Sequence, residues 1–97
     1  MAMKARKYVI RGRVQGVGFR WYVEREARSI GLAGWVRNSE ESTVEVLAVG
    51  EEERQALMLE SLKRGPRAAR VDQVETLEPT DEETIGHLKD FQIIGAW

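Results

Sequence analysis

An α+β sandwich, with an antiparallel sheet covered on one face by two helices, is the fold class this sequence predicts. Two observations carry it: two segments of helical period, and short strand-like segments placed before, between and after them. Residues 7–14 read as the first strand, with Tyr8, Ile10, Gly12 and Val14 on one face. Residues 19–30 turn helical: Phe19, Val23, Ala27 and Ile30 fall at spacings of four, four and three, Glu24 can pair with Arg28, and Gly31 supplies the stop. Residues 34–38 and 43–49 read as the second and third strands, the latter with Val44, Val46 and Ala48 on one face. Ser39-Glu40-Glu41-Ser42 between them is the expected hairpin turn. Residues 51–64 read as the second helix, with glutamates at its start and Lys63-Arg64 at its end complementing the dipole. Met58, Leu59 and Leu62 form its inward stripe, and Gly65-Pro66 ends it. A fourth strand lies within 71–78, residues 79–86 read as an acidic loop, and 87–94 as the last strand. The order βαββαβ, closed by a short last hairpin, is the ferredoxin-like sandwich, and a short extra strand at the C-terminal end can pair on its sheet.

Ninety-seven residues bound the chain to one domain, expected over 4–97. Charged residues at 32% and no apolar run near bilayer length argue against a membrane protein. The first seven residues lack the apolar stretch of a secretory signal. The absence of cysteine excludes disulfides and thiolate catalysis, so a cytoplasmic location is expected. Charge is lopsided: residues 1–40 carry +6 and residues 41–97 carry −7. The N-terminal half would therefore attract an anion.

That half holds Gly12-Arg13-Val14-Gln15-Gly16-Val17-Gly18-Phe19-Arg20. Strand, glycine-rich turn and helix start are the parts of an anion cradle, in which backbone N–H groups converge where no Cβ blocks the approach. Arg20 adds a fixed charge at the helix start. No Lys-Ser or Lys-Thr pair follows, so the loop is not of the Walker form, and Trp21 occupies the third glycine position of a dinucleotide fingerprint. A turn that only reverses the chain is the other reading.

The same loop, followed by Gly34-Trp35-Val36-Arg37-Asn38, resembles the two signature segments of the acylphosphatase family. Thr43-Val44-Glu45-Val46, Gly65-Pro66-x-Ala68-Ala69-Arg70-Val71 and Phe91-Gln92-Ile93 are similar to its later segments, so the resemblance runs from about Lys4 to Ile94. It implies the same ferredoxin-like fold and hydrolysis of an acyl phosphate. Where the family usually has Asp-Gly in the hairpin turn, this chain has Glu41-Ser42, which leaves the turn type open.

An enzyme with this inventory needs an easy reaction. It has no cysteine and one histidine, His87, which reads as a surface residue, and no serine or threonine has an evident triad partner. Paired acids such as Glu40-Glu41 sit at turns, where they are usually solvated. Acyl phosphates suit such a protein because the leaving carboxylate needs no general acid; holding the phosphoryl group and aiming a water suffice. Backbone N–H groups of Gln15, Gly16, Val17, Gly18 and Phe19 would ring the phosphate oxygens, with Arg20 clamping them. Asn38 would orient the water. The resemblance implies these same catalytic roles for Arg20 and Asn38, with no metal and no cofactor. Taken alone, Asn38 could equally start the hairpin and Arg20 be an ordinary helix residue. Trp21, Trp35 and Tyr22 read as packing residues, with Trp35 able to border the site.

Two other classes compete. One is a non-catalytic anion-binding or regulatory module, including an acylphosphatase-like domain of a larger carbamoyl-transfer protein. The other is an RNA-recognition module, disfavoured because Arg20-Trp21 break the RNP1 pattern and the third strand carries no aromatic. The expected partner is a small acyl phosphate, with no nucleic acid and no membrane, acting on a monomer.

Overall fold

The computed structural model describes residues 3–84 and 89–95. His87 and Trp97 lie outside them. The elements run β1 (Lys4–Arg13), α1 (Phe19–Ile30), β2 (Ala33–Asn38), β3 (Val44–Gly50), α2 (Glu52–Arg64), β4 (Arg70–Leu77), α3 (Asp81–Thr84) and β5 (Phe91–Ile93). This is the ferredoxin-like α+β arrangement with an added strand. The sheet order is β4-β1-β3-β2-β5.

Four strands pair antiparallel, as the alternation predicts. The fifth does not: β5 runs parallel to β2, with Gly34, Trp35 and Val36 opposite Phe91, Gln92 and Ile93, so the sheet is mixed. Nor is there a last hairpin, because β4 and β5 occupy opposite edges. Between β4 and β5 the chain passes from one edge of the sheet to the other, and β2 lies apart from β5 in sequence, so no tight turn joins the parallel pair. The two edges are unlike the centre. β4 exposes Arg70, Asp72 and Gln73, and β5 is three residues long.

Alternation divides the core into two layers. Tyr8, Ile10, Val36, Val44, Val46 and Ala48 face the helices, where Phe19, Val23 and Ala27 of α1 meet Met58 and Leu62 of α2. The other face carries a smaller cluster of Ala33, Trp35, Leu47 and Val49. Within the segment expected as an acidic loop, residues 81–84 form α3 and lie over that face. Thr80 and Glu83 form a capping box: the Thr80 N–H donates to Glu83 Oε1 at 2.9 Å, and the Glu83 N–H to Thr80 Oγ1 at 3.2 Å. Trp35 Nε1 donates to the Glu83 carbonyl at 3.0 Å. Lys7 Nζ meets the Glu83 carboxylate at 2.6 Å, and Arg37 bridges to Glu45 at 2.7 Å while lying over the Trp35 ring. Burial pushes the Glu83 pKa up, but the bonds from Lys7 and Thr80 outweigh it and hold the carboxyl below the ordinary glutamate value.

Among the described residues, one polar side chain, Gln55, is fully enclosed. Gln55 of α2 is inaccessible to solvent; it continues the stripe of Met58, Leu59 and Leu62 one turn toward the helix start, with a polar side chain in an inward position. Its amide is satisfied on both sides: Tyr8 Oη donates to Oε1 at 2.7 Å, and Nε2 donates to the carbonyls of Ala48 at 2.8 Å and Lys4 at 3.1 Å. The side chain thereby pins α2 to β1 and β3. Replacing it with an apolar group removes all three bonds and takes from the buried Tyr8 hydroxyl the acceptor it holds. Gln55→Leu is expected to lower stability by about 3 kcal/mol. Urea denaturation checks this. Tyr8→Phe in the same background should recover part of the loss, and equal stability of Gln55→Leu and wild type would show the network to be dispensable.

Candidate active site

The loop between β1 and α1 has the backbone that its glycines predict. Gly16 and Gly18 both take positive φ, at 73° and 78°, and a Cβ built on either meets nothing within 4 Å. Conformation, not space, calls for glycine there. Gly18 is also the N-cap of α1 and, having no side chain, leaves the helix start uncapped. Among the described residues, no backbone N–H from Gln15 to Trp21 finds a hydrogen-bond acceptor.

The two helices begin in opposite electrostatic styles. α2 opens with Glu52 and Glu53, which complement its positive end. α1 has no acid in its first turn and places Arg20 there instead. Arg20 is half-buried and makes no ion pair with the described residues; Arg6, Arg11, Arg28, Arg37 and Arg70 do, and Arg13, Arg25 and Arg67 do not. A helix end, open amides and an unneutralised guanidinium together favour an anion.

Asn38 arrives from β2. In that strand Trp35 packs on the face away from the helices and Val36 on the helix side. Asn38, two residues after Val36, shares the helix side, while Arg37 turns away to Glu45. The Asn38 carboxamide makes no hydrogen bond to the described residues. It lines a pocket of about 200 Å³ together with Val14, Gly16, Gly18, Phe19, Arg20 and Trp21. Arg20 and Asn38, eighteen positions apart, therefore meet at the loop. Asn38 also borders a second hollow, of about 390 Å³, whose walls include Arg37, Ser39, Glu40, Glu41 and Glu45. A third pocket, about 330 Å³, lies at the opposite end of β2 near Gly31 and Phe91, and holds neither Arg20 nor Asn38.

The Gln15 side chain has a task its sequence position does not reveal. Nε2 donates to the carbonyls of Ser39 and Thr43, both at 2.9 Å. The two carbonyls flank the hairpin turn, whose closure is reinforced by a Ser39–Thr43 backbone bond at 2.9 Å and a hydroxyl contact at 2.6 Å. So the loop is strapped to the segment that presents Asn38. The turn needs one left-handed residue, and Ser42 takes that conformation at φ 66°. It does the conformational work that glycine does in an Asp-Gly turn, at some strain cost.

Two of the three aromatics, Trp35 and Tyr22, pack as expected, and Trp21 does not. Trp35 does not border the pocket; it is buried on the far face. Trp21, expected to pack, is 70% exposed and forms part of the pocket wall. Tyr22 does pack, edge-on to Phe19, with its hydroxyl donating to the Ser61 carbonyl at 2.7 Å. Among the described residues no three acidic, histidine or cysteine side chains cluster as a metal site, and no helix is long and apolar enough to cross a membrane.

Comparison with known proteins points the same way as this geometry. The acylphosphatase family model matches residues 6–93. The chain is 52% identical over 94 residues to an acylphosphatase of Koribacter versatilis, covering 97% of this chain and 83% of that one. It is 46% identical over 86 residues to an acylphosphatase of Thermococcus kodakarensis, covering 89% and 90%. The crystal structure of acylphosphatase from Bacillus subtilis superposes with a TM-score of 0.85 at 35% identity, covering 97% of this chain and all of that one. Full-length HypF in its phosphate- and nucleotide-bound form contains a similar unit, with a TM-score of 0.84 at 33% identity, but this chain spans only 12% of it.

The strap predicts a separable role for Gln15. Gln15→Leu keeps the backbone N–H and removes both bonds to the hairpin. Affinity for inorganic phosphate, measured by titration calorimetry, should fall about tenfold as the two halves of the pocket lose their fixed spacing. Unchanged affinity would mean that the loop holds its shape without the hairpin.

Proposed function

The chain belongs to the acylphosphatase family, and from that premise we propose that it cleaves the carboxyl–phosphate bond of acyl phosphates, with water as the acceptor. The products are a carboxylate and inorganic phosphate. The observation that carries this reading is the meeting of Arg20 and Asn38 in one pocket at the open amides of the β1–α1 loop.

The parts divide the work. The N–H groups of Gln15 to Phe19 ring the phosphoryl oxygens, and the positive end of α1 adds to their field. Arg20 clamps two oxygens with its planar fork and offsets the charge of the phosphoryl group. Asn38 accepts from a water and holds it in line with the P–O bond to be broken. Water oxygen bonds to phosphorus, the bond to the acyl oxygen breaks, and the electron pair leaves with the carboxylate. The proton of the water passes to phosphate or solvent. A carboxylate is a good leaving group, so the site needs neither a general acid nor a metal. Arg20 and Asn38 come from one chain and the sequence has no cysteine, which supports a single-domain enzyme over 4–97 acting as a monomer in the cytoplasm.

Release of phosphate from benzoyl phosphate, beside none from p-nitrophenyl phosphate, is the test of the reaction class. Hydrolysis of both at similar rates would point to a general phosphatase. Arg20→Lys should lower kcat/KM on benzoyl phosphate by on the order of a hundredfold while the protein stays folded, because lysine keeps the charge and loses the fork. Near-normal turnover with lysine would remove the clamp from the mechanism.

Asn38→Ala separates the water from the phosphate. It should cut kcat by on the order of a hundredfold and leave the inhibition constant for inorganic phosphate within about twofold. A large rise in that constant with kcat preserved would instead make Asn38 a phosphate ligand.

A further inference from the structure

We propose that Trp21 is the acyl-group platform of the site and gives the enzyme a preference for aromatic and apolar acyl phosphates. This rests on the reading that the pocket hydrolyses acyl phosphates. Trp21 is the residue next to the clamp. Trp21 is 70% exposed and lines the pocket that holds Arg20 and Asn38. The described core contains no contact that requires it: the inward positions of α1 are Phe19, Val23 and Ala27, and position 21 falls on another side of the helix. Indole left in water beside a site is binding surface not yet used.

The pocket bounds where an acyl group can go. A phosphoryl group held at the loop amides points its scissile oxygen outward, toward the pocket mouth. Two surfaces adjoin. One is the hollow past Asn38, whose wall includes Glu40, Glu41 and Glu45, with Arg37 already paired to Glu45. That wall is polar and anionic, so it disfavours apolar groups and repels acyl groups bearing a carboxylate. The other is the Trp21 ring, flat and apolar. A phenyl or branched acyl group on that ring removes apolar surface from water on both partners, while an acetyl group is too small to cover it.

The test compares benzoyl phosphate with acetyl phosphate for wild type, Trp21→Ala and Trp21→Phe, alongside binding of benzylphosphonate and methylphosphonate, which cannot be hydrolysed. In wild type, benzoyl phosphate should have the higher kcat/KM and benzylphosphonate the lower Kd. Trp21→Ala should shrink both preferences about tenfold, and Trp21→Phe should restore much of them. The inhibition constant of inorganic phosphate should shift far less than either preference. The same preference in wild type and Trp21→Ala would overturn the proposal. So would a change in solution mass on Trp21→Ala with the preferences intact, which would assign the ring to a protein contact. If wild type hydrolyses neither acyl phosphate, the reaction assignment fails; a Trp21-dependent preference for benzylphosphonate would still support the platform, and its absence would overturn that too.

Discussion

The candidate site hangs on the pairing of β3 with two strands at once. Val44 is the Cα partner of Ile10 on one side and of Asn38 on the other. Both neighbours run antiparallel to β3, so β1 and β2 run parallel to each other and leave the sheet at the same end. The loop after Arg13 must therefore emerge beside Asn38. A one-residue slip of β2 would turn Asn38 to the far face and bring Arg37 to the loop in its place. Val36, fully buried against the helices, and Trp35, buried on the far face, oppose such a slip. Packing in the core thus decides which side chain faces the loop.

Finer alignment comes from polar contacts laid over that register. Gln15 joins the loop to both shoulders of the hairpin, and Gln55 joins α2 to the two central strands. Each is an amide used as a clamp between segments distant in sequence. The rest of the charge arrangement keeps competitors away from the loop. Arg37, the cation nearest Asn38 in sequence, is engaged with Glu45 and stacked on Trp35. Arg20 is left available because nothing acidic shares the first turn of α1.

Local pattern made much of this legible. The spacing of Phe19, Val23, Ala27 and Ile30 marks α1 over its full observed span, since a helix with one buried stripe has a single period to read. The glycines at 16 and 18 signal positive φ, and Arg20 and Asn38 stand out beside them. What was not legible depends on partners far along the chain. The acceptors of Gln15 are backbone carbonyls 24 and 28 residues away, and a carbonyl has no sequence signature. The edge chosen by β5 is a parallel pairing that no turn announces. Two features were written locally and misread. Thr80 and Glu83 have the spacing of a capping box, hidden in an acidic stretch that looked solvated. Trp21 was expected to pack, although helical geometry sets it off the inward stripe of Phe19, Val23 and Ala27.

The edges of the sheet carry a consequence for the protein at high concentration. A β-sheet that ends in a long, flat, apolar strand invites strands from other molecules to continue it. Here one border carries Arg70, Asp72 and Glu75, the last paired outward with Arg11. The other border is three residues long. A strand added to the first must place its side chains beside those charges, and one added to the second finds too few backbone partners to hold it. The fold therefore leaves the glycine-rich corner open to solvent while giving passing chains little on which to nucleate a fibril.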